Sequence, residues 1–246
     1  GACAEGLLLE QPPTLSKRKA ADRKKVLVRG GAALADYAGA AADLFNNMRT
    51  PAALVGGSIV PMGFAAVPEI HGSDSKVTKR LKQIHMLVAI LSLSAEIVAV
   101  IYSTIAINKL SETAVAPAAS VTALLKRDYE LQWLGCNLNF LMGMLGFASL
   151  LGMRAWFCFG PRLGRVGLCG AASVLCHVIS IINRGIAQGD GGGFAFGANF
   201  AGLFKRYLAL LLADTLKHRG VLQLLSAAFF GLTLLLFTRV RTDDHP

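Results

Sequence analysis

The chain has 246 residues, of which 54% are apolar and only 16% are charged, whereas an ordinary soluble domain carries about 25% charged residues. Its mean hydropathy is +0.52. These values exclude a disordered or fibrous protein and disfavour a soluble enzyme. The composition predicts an all-α integral membrane protein with about four transmembrane helices and a basic, partly irregular N-terminal segment.

The formal net charge of +10 is concentrated near the N-terminus. One short stretch holds seven basic side chains, which are Lys17, Arg18, Lys19, Arg23, Lys24, Lys25 and Arg29. Such a cluster binds RNA, anionic lipid or an acidic protein face. No aromatic residues interleave with the basic ones, so nucleic acid is not expected as a partner. A positive flank that stays on one side of a membrane is the favoured interpretation.

Residues 1–80 are predicted to form a basic extension, an amphipathic helix and an apolar, proline-broken segment. Apolar residues recur at helical spacing over 32–48, and this stripe contains Leu34, Tyr37, Ala41, Phe45 and Met48. Prolines and glycines interrupt residues 51–68, which favours an extended or re-entrant segment over a proline-kinked spanning helix. We expect contacts with partner proteins to order this part of the chain. Because the chain begins at Gly1 rather than Met, removal of an organellar transit peptide is one expectation and truncation is the other.

Four apolar runs are long enough to cross a membrane, at about 84–107, 131–153, 166–186 and 221–238. They define a transmembrane domain over 81–240, followed by a tail at 241–246. The Gly160-Pro161 pair predicts an antiparallel hairpin of the second and third runs. Residues 200–217 carry Lys205, Arg206 and Asp214 in their interior and are expected to lie at the membrane interface, with a further span as the alternative. The Lys and Arg residues in the short flanks place both termini on the cytoplasm-like side.

The first run carries polar residues on one face. His85, Ser92, Glu96 and Ser103 are spaced 7, 4 and 7 residues apart, so they share one side of a helix. Glu96 lies near the middle of the run, where an ionised carboxylate is costly unless it is paired, liganded or protonated. A hydrogen-bonded packing residue is the favoured interpretation of Glu96. A pigment or metal ligand and a proton or ion pathway are the alternatives.

Small and polar residues also mark the second run. Gly135, Asn139, Gly143 and Gly146 line one face and would let another helix backbone approach closely. Asn137 points to the opposite face, so it needs a partner of its own.

The third run carries a polar stripe of Ser173, His177, Ser180 and Arg184. His177 is expected at the depth of Glu96, and the two would meet if the first and third runs were neighbours. A neutral imidazole is a common axial ligand for the metal of a porphyrin-like ring, and a carboxylate or amide also serves. Candidate cofactor-binding residues are therefore Glu96, Asn137, Asn139 and His177, although a packing role is favoured for a lone membrane histidine.

No catalytic motif is present in the sequence, so an enzyme is not expected. Cysteines 136, 158, 169 and 176 lie in or beside apolar runs, and no pair has the CxxC spacing of a metal site. We therefore expect reduced thiols and no metal ion.

The Ala/Gly-rich segment 30–45, the proline-broken 51–68 and the span that bears Glu96 give the chain a general plan. This plan resembles accessory transmembrane subunits of algal photosystem–antenna supercomplexes. The resemblance implies a non-catalytic subunit of the plastid thylakoid membrane that bridges other subunits and binds lipid and a few chlorophylls or carotenoids.

Two alternatives remain open at this point. One is an accessory subunit of a respiratory complex or of ATP synthase in the mitochondrial inner membrane, with the same physical description and no pigment. The other is a small membrane transporter or channel that uses Glu96, Asn139, His177 and Arg184, although the spans show no internal repeat.

Overall fold

The computed structural model describes residues 27–29, 32–65, 69–187, 199–218 and 220–243. In these residues the chain forms two short strands and six helices. The elements are β1 (Leu27–Arg29), β2 (Ala32–Leu34), α1 (Ala38–Gly63), α2 (Lys76–Glu112), α3 (Val121–Asp128), α4 (Glu130–Ala187), α5 (Phe200–His218) and α6 (Val221–Asp243). The basic cluster before residue 27 and the last three residues of the predicted tail lie outside the described residues.

Three of the described helices, α2, α4 and α6, are long and apolar enough to cross a membrane. This agrees with the predicted class of helical membrane protein, and the apolar helices indicate a membrane location. The two strands form a short antiparallel pair in which Leu27 lies opposite Leu34. Ala35 and Ala118 then exchange two backbone hydrogen bonds of 3.0 Å. The start of α1 is therefore tied to the loop that follows α2.

Helix α1 begins later and runs further than the sequence predicts. The carboxylate of Asp36 accepts a 2.9 Å hydrogen bond from the amide of Ala38, so the helix starts there and residues 32–34 belong to β2. The amphipathic helix is confirmed from residue 38 onward, because Ala41 and Phe45 of the predicted stripe are fully buried.

The prediction of an extended or re-entrant segment at 51–68 is wrong over 51–63. Helix α1 passes through Pro51 and Pro61 and ends at Gly63, while residues 66–68 lie outside the described residues. A proline removes one helical hydrogen bond, but Ala52, Gly56 and Ile59 are buried along the helix between the two prolines. Packing against the neighbouring helices outweighs the local preference for a break.

Helix α2 lies at the centre of the bundle. Its buried residues recur at alternating steps of four and three, and they are His85, Ala89, Ser92, Glu96, Ala99, Ser103, Ala106 and Leu110. A repeat of 3.5 residues is the pattern of a helix seam that packs knobs into holes. The four polar residues of the first run therefore share one buried face, as predicted.

Helix α1 and the start of α4 close on this seam from either side. A Cβ added to Gly56 of α1 would lie 3.3 Å from Cβ of Glu96, and one added to Gly63 would lie 2.6 Å from Cβ of Ala89. The residue numbers of these pairs rise along α1 and fall along α2, so the two helices are antiparallel. They also place the second half of α1 beside the apolar part of α2, although the composition of α1 does not mark it as a span.

Helix α4 is broken at Gly160, which has φ 75° and ψ 178°, a conformation that favours glycine. We call residues 130–159 the first arm and residues 161–187 the second arm. A Cβ on Gly152 would lie 2.7 Å from Cβ of Ala171, and Leu141 packs with Ile182. These pairs confirm the antiparallel hairpin that the Gly160-Pro161 sequence predicts.

Basic residues gather at the end of the bundle that contains the hairpin turn. The indole of Trp156 lies 3.4 Å from the hydroxyl of Thr78, so the turn and the start of α2 are at the same end. We call this the basic end, because its exposed cations are Lys76, Arg80, Arg162 and Arg165.

Helices α5 and α6 differ in how closely they pack on the rest of the bundle. Helix α5 packs on the first arm through the fully buried Leu203, and the guanidinium of Arg206 donates a 2.6 Å hydrogen bond to Glu130. The apolar window of α6 has no buried residue. Whether residues 200–217 lie at the membrane interface stays a prediction.

Candidate functional site

Glu96 lies at the centre of the bundle, between Gly56 of α1 and Gly143 of the first arm. The residue is only 1% exposed. Neither carboxylate oxygen has a hydrogen-bond partner among the described residues. A Cβ on Gly143 would overlap the Glu96 carboxyl group, so glycine is what leaves room for it. Glu96 is therefore buried without the hydrogen bond to a neighbouring helix that a packing role predicts.

His85 is a second buried polar residue on the same seam, and the sequence analysis did not select it as a candidate ligand. It is fully buried, and neither ring nitrogen has a hydrogen-bond partner among the described residues. Its ring packs edge-on against Phe157 at a centroid distance of 5.4 Å. Eleven residues separate His85 from Glu96, or about 16 Å along the helix, so they do not form one site. The spacing in the sequence places His85 on the face that carries Glu96, and the tertiary structure adds that its ring is fully buried.

The two serines of the α2 seam are satisfied within their own helix. The hydroxyl of Ser92 donates to the carbonyl of Val88 at 2.6 Å, and that of Ser103 donates to the carbonyl of Ala99 at 2.9 Å. These bonds are the usual way for a serine to sit inside a helix. Neither serine is hydrogen-bonded to Glu96.

Asn137 and Asn139 both use their amide groups in the fold. Asn137 is 3% exposed and donates to the carbonyl of Trp133 at 2.7 Å, which supplies the separate partner that the sequence analysis required. Asn139 donates to the carbonyl of Gly135 at 2.8 Å and lies 3.3 Å from the hydroxyl of Tyr207. A ligand role for either amide stays a prediction.

His177 lies on the outside of the second arm. Ser173, Ser180 and Arg184 are exposed along with it, so the predicted polar stripe is one face of one helix. The hairpin pairing puts His177 close to the depth of Gly143 and hence of Glu96, as expected. The contact between His177 and Glu96 that would form if the first and third runs were neighbours is not present, because Glu96 is enclosed inside the bundle and His177 faces outward.

Two apolar grooves flank the α2 seam. The first has a volume of about 300 Å³ and runs between α1 and α2, where its lining includes Ala53, Gly57 and Glu96. The second has a volume of about 240 Å³ and lies between α2 and the first arm, beside Ser92 and Gly146. These volumes are at or below the lower limit of small-molecule sites, which is about 300 Å³.

Possible metal ligands are scattered in the described part of the chain. No three His, Cys, Asp or Glu side chains among these residues are close enough to hold a metal ion. The four described cysteines are free thiols, and Cys136 is the buried one.

A charged loop outside the membrane-length helices joins α1 to α2 at the basic end. The ammonium group of Lys82 lies 2.6 Å from a carboxylate oxygen of Asp74, and it also binds the carbonyl of Glu69. The hydrogen bond from Lys82, followed by one from the amide of His71, holds the pKa of Asp74 below its usual value. The loop is thereby fastened to the first turns of α2.

Comparisons of the chain with protein-family models, with curated proteins and with solved structures give no match. The proposals below therefore depend on the geometry of the chain itself and on the general plan of its sequence.

Proposed function

We propose that this protein is a non-catalytic accessory subunit of a larger assembly of membrane proteins. The polar stripe on the second arm of α4 is the observation that carries the proposal. A histidine and an arginine within a membrane-length apolar helix are costly unless they face protein, water or a cofactor. Among the described residues, none is hydrogen-bonded to His177 or Arg184, and both are exposed. A partner protein would give these side chains the polar surroundings that they require.

The interior of the bundle supports a packing role. Asn137, Asn139 and both seam serines donate hydrogen bonds to backbone carbonyls. The four residues that a transporter would use are distributed differently: Glu96 is enclosed, Asn139 is bound to Gly135, and His177 and Arg184 face outward. They line no common path, so the geometry favours an accessory subunit over a transporter.

We infer five membrane crossings for this subunit, which replaces the expectation of four. Helix α1 lies beside the apolar part of α2, so a membrane that surrounds one surrounds the other. The remaining crossings are α2, the two arms of α4, and α6. An odd number of crossings places the two termini on opposite faces, with the start of α1 on the face away from the basic end.

We further propose a photosystem–antenna supercomplex of the plastid thylakoid as the assembly to test first. This choice depends on the resemblance of the general plan and on nothing in the geometry. Of the four candidate ligands, His177 is best placed to ligate a chlorophyll at a subunit boundary through one ring nitrogen, which leaves its other ring nitrogen to donate a hydrogen bond to a partner. Glu96 and Asn137 are buried inside the bundle, and Asn139 is only half-exposed. A pigment-free mitochondrial assembly is the alternative.

The experiment is purification of the tagged full-length chain from its native membrane in a mild detergent. We expect a particle of reproducible size and protein composition, and its absorption spectrum separates the pigmented from the pigment-free assembly. If His177 holds a pigment, H177A should remove one pigment per particle, while the matched variant I181A should remove none. Migration as a single chain, under conditions that keep other membrane complexes intact, would overturn the proposed function. Ion or solute flux in liposomes that contain only this chain would favour the transporter instead.

A further inference from the structure

The polar stripe on the second arm, extended by one residue to Gly170, has the spacing of a helix-packing seam. We call these five positions the outer seam, and they follow one another at steps of three, four, three and four: Gly170, Ser173, His177, Ser180 and Arg184. The buried seam of α2 has the same alternation of four and three, and two helices pack on it. On the second arm every one of these positions is exposed, and a Cβ on Gly170 would meet nothing within 4 Å.

The rest of the described bundle does not reach this seam. Ala171, Val178 and Ile182 pack on the first arm, and at about 100° per residue they lie on the opposite side of the helix from the stripe. Helix α6 has no buried residue in its apolar window, and residues 221–238 contain no acidic side chain. The apolar window of α6 therefore has no carboxylate to offer Arg184.

We propose that the seam receives a transmembrane helix of a different protein, which presents a carboxylate to Arg184 and a hydrogen-bond acceptor to His177. This inference rests on the proposed function and specifies the partner's chemistry. Gly170, Ser173 and Ser180 are small enough for the two backbones to approach closely. His177 and Arg184 are seven residues apart, or about 10 Å along the axis, so the partner's two groups lie on one face about two turns apart.

A second copy of this chain does not fit the seam. Two copies inserted in the same direction are related by an axis along the membrane normal, so their equivalent helices are parallel. The stripe would then face itself, with Arg184 opposite Arg184 and His177 opposite His177. Such a pair sets two guanidinium charges against each other without a carboxylate, and this repulsion is least screened inside a membrane.

The experiment places a photoreactive benzoylphenylalanine at Ser180 of the full-length chain in its native membrane. The matched control carries the same probe at Ala172, which is exposed and lies about 120° around the helix from the centre of the seam. We expect the probe at Ser180 to cross-link one membrane protein, through an apolar helix that contains Asp or Glu. The probe at Ala172 should give lipid adducts. R184E should reduce the Ser180 product by about tenfold or more, R184K should retain it, and a basic residue in place of the partner's carboxylate should restore it in R184E.

Several results would overturn the inference: adducts of Ser180 with lipid alone, with a second copy, or with a helix that has no acidic residue. An undiminished product in R184E would do the same. Circular dichroism of R184E shows whether the variant folds, and R184K tests the charge without reversing it. If the chain still purifies in a particle of defined composition while the Ser180 probe finds only lipid, the proposed function stands and the partner assignment fails. If no such particle exists, both fail.

Discussion

The close packing of the two arms of α4 predicts different effects of the same substitution at two glycines of this helix. Gly152 lies in the last third of the first arm, toward the hairpin turn, where an added Cβ would be 2.7 Å from Cβ of Ala171 and 3.4 Å from Cα of Leu168. Neither neighbour is the end of a flexible side chain, so the arms must separate to admit a methyl group. Gly170 lies in the middle of the second arm, and an added Cβ there would meet nothing within 4 Å. The variants G152A and G170A are therefore matched in chemistry and differ in crowding.

The expected free energies follow from two terms. Each substitution removes a glycine from a helix interior, which stabilises the helix by about 1 kcal/mol. Overpacking opposes this gain only at Gly152, where it costs about 1–3 kcal/mol. We therefore expect G170A to raise the free energy of unfolding, and G152A to fall below G170A by about 1–3 kcal/mol. At about 2–4 °C per kcal/mol for a chain of this size, the difference is measurable as a shift in Tm.

The assay is thermal unfolding of the full-length chain in detergent micelles, followed by circular dichroism and repeated by titration with a denaturing detergent. If α4 were one straight helix, Gly152 and Gly170 would both be open and the two variants would be equally stable. Equal midpoints for G152A and G170A would therefore refute the close antiparallel packing of the two arms.

Three further predictions follow from other parts of the molecule. Epitopes at the two ends of the chain should be digested from opposite faces of oriented vesicles, and digestion of both from one face would contradict the five crossings. The variant E96M replaces an enclosed carboxyl group, which has no hydrogen-bond partner among the described residues, with an apolar side chain of similar shape. Its free energy of unfolding in micelles should be unchanged or higher. A loss above about 2 kcal/mol would mean that Glu96 has a partner in the fold. The pKa of Asp74 is lower in the folded chain than in the unfolded chain, because the carboxylate is paired with Lys82. The ion pair therefore stabilises the fold at any pH above the unfolded pKa. This stabilisation is lost as the pH falls through the pKa of the folded chain. The stability advantage of the natural chain over D74N should accordingly be present at pH 7, begin to fall below about pH 4 and disappear below the folded pKa. An advantage that persists in stronger acid would show that the ion pair is not its source.

Several features of the fold were predictable because they depend on local patterns. The 7, 4 and 7 spacing from His85 to Ser103 defines one helix face whatever packs on it, and this face is buried. The Gly160-Pro161 pair ends one helix and starts another, because glycine accepts a positive φ and proline suits the first turn of a helix. Glycines at 135, 143 and 146 marked the face that another helix approaches, since a missing Cβ shortens the distance of closest packing.

The candidate site was predictable only as a set of residues. Periodicity placed Glu96 and His177 at similar depths, but it carries no information about which helices are neighbours. The contact between them depends on the arrangement of α1, α2 and the two arms of α4 around one another. In that arrangement Gly56 and Gly143 pack against Glu96, and His177 is exposed on the outside of the second arm.

The course of α1 shows the same division between local and tertiary information. Locally, Pro51 and its neighbouring glycines disfavour a continuous helix, and the composition of α1 does not mark a membrane crossing. In the folded chain the small residues of α1 fit against the small residues of the α2 seam, and this packing holds α1 helical through Pro51 at the depth of α2. The amino-acid sequence by itself determined the helical class, the hairpin turn and the polar faces, because each depends on neighbours along the chain. Only the tertiary structure decided which faces meet and which remain exposed, because close packing depends on residues that are distant in sequence.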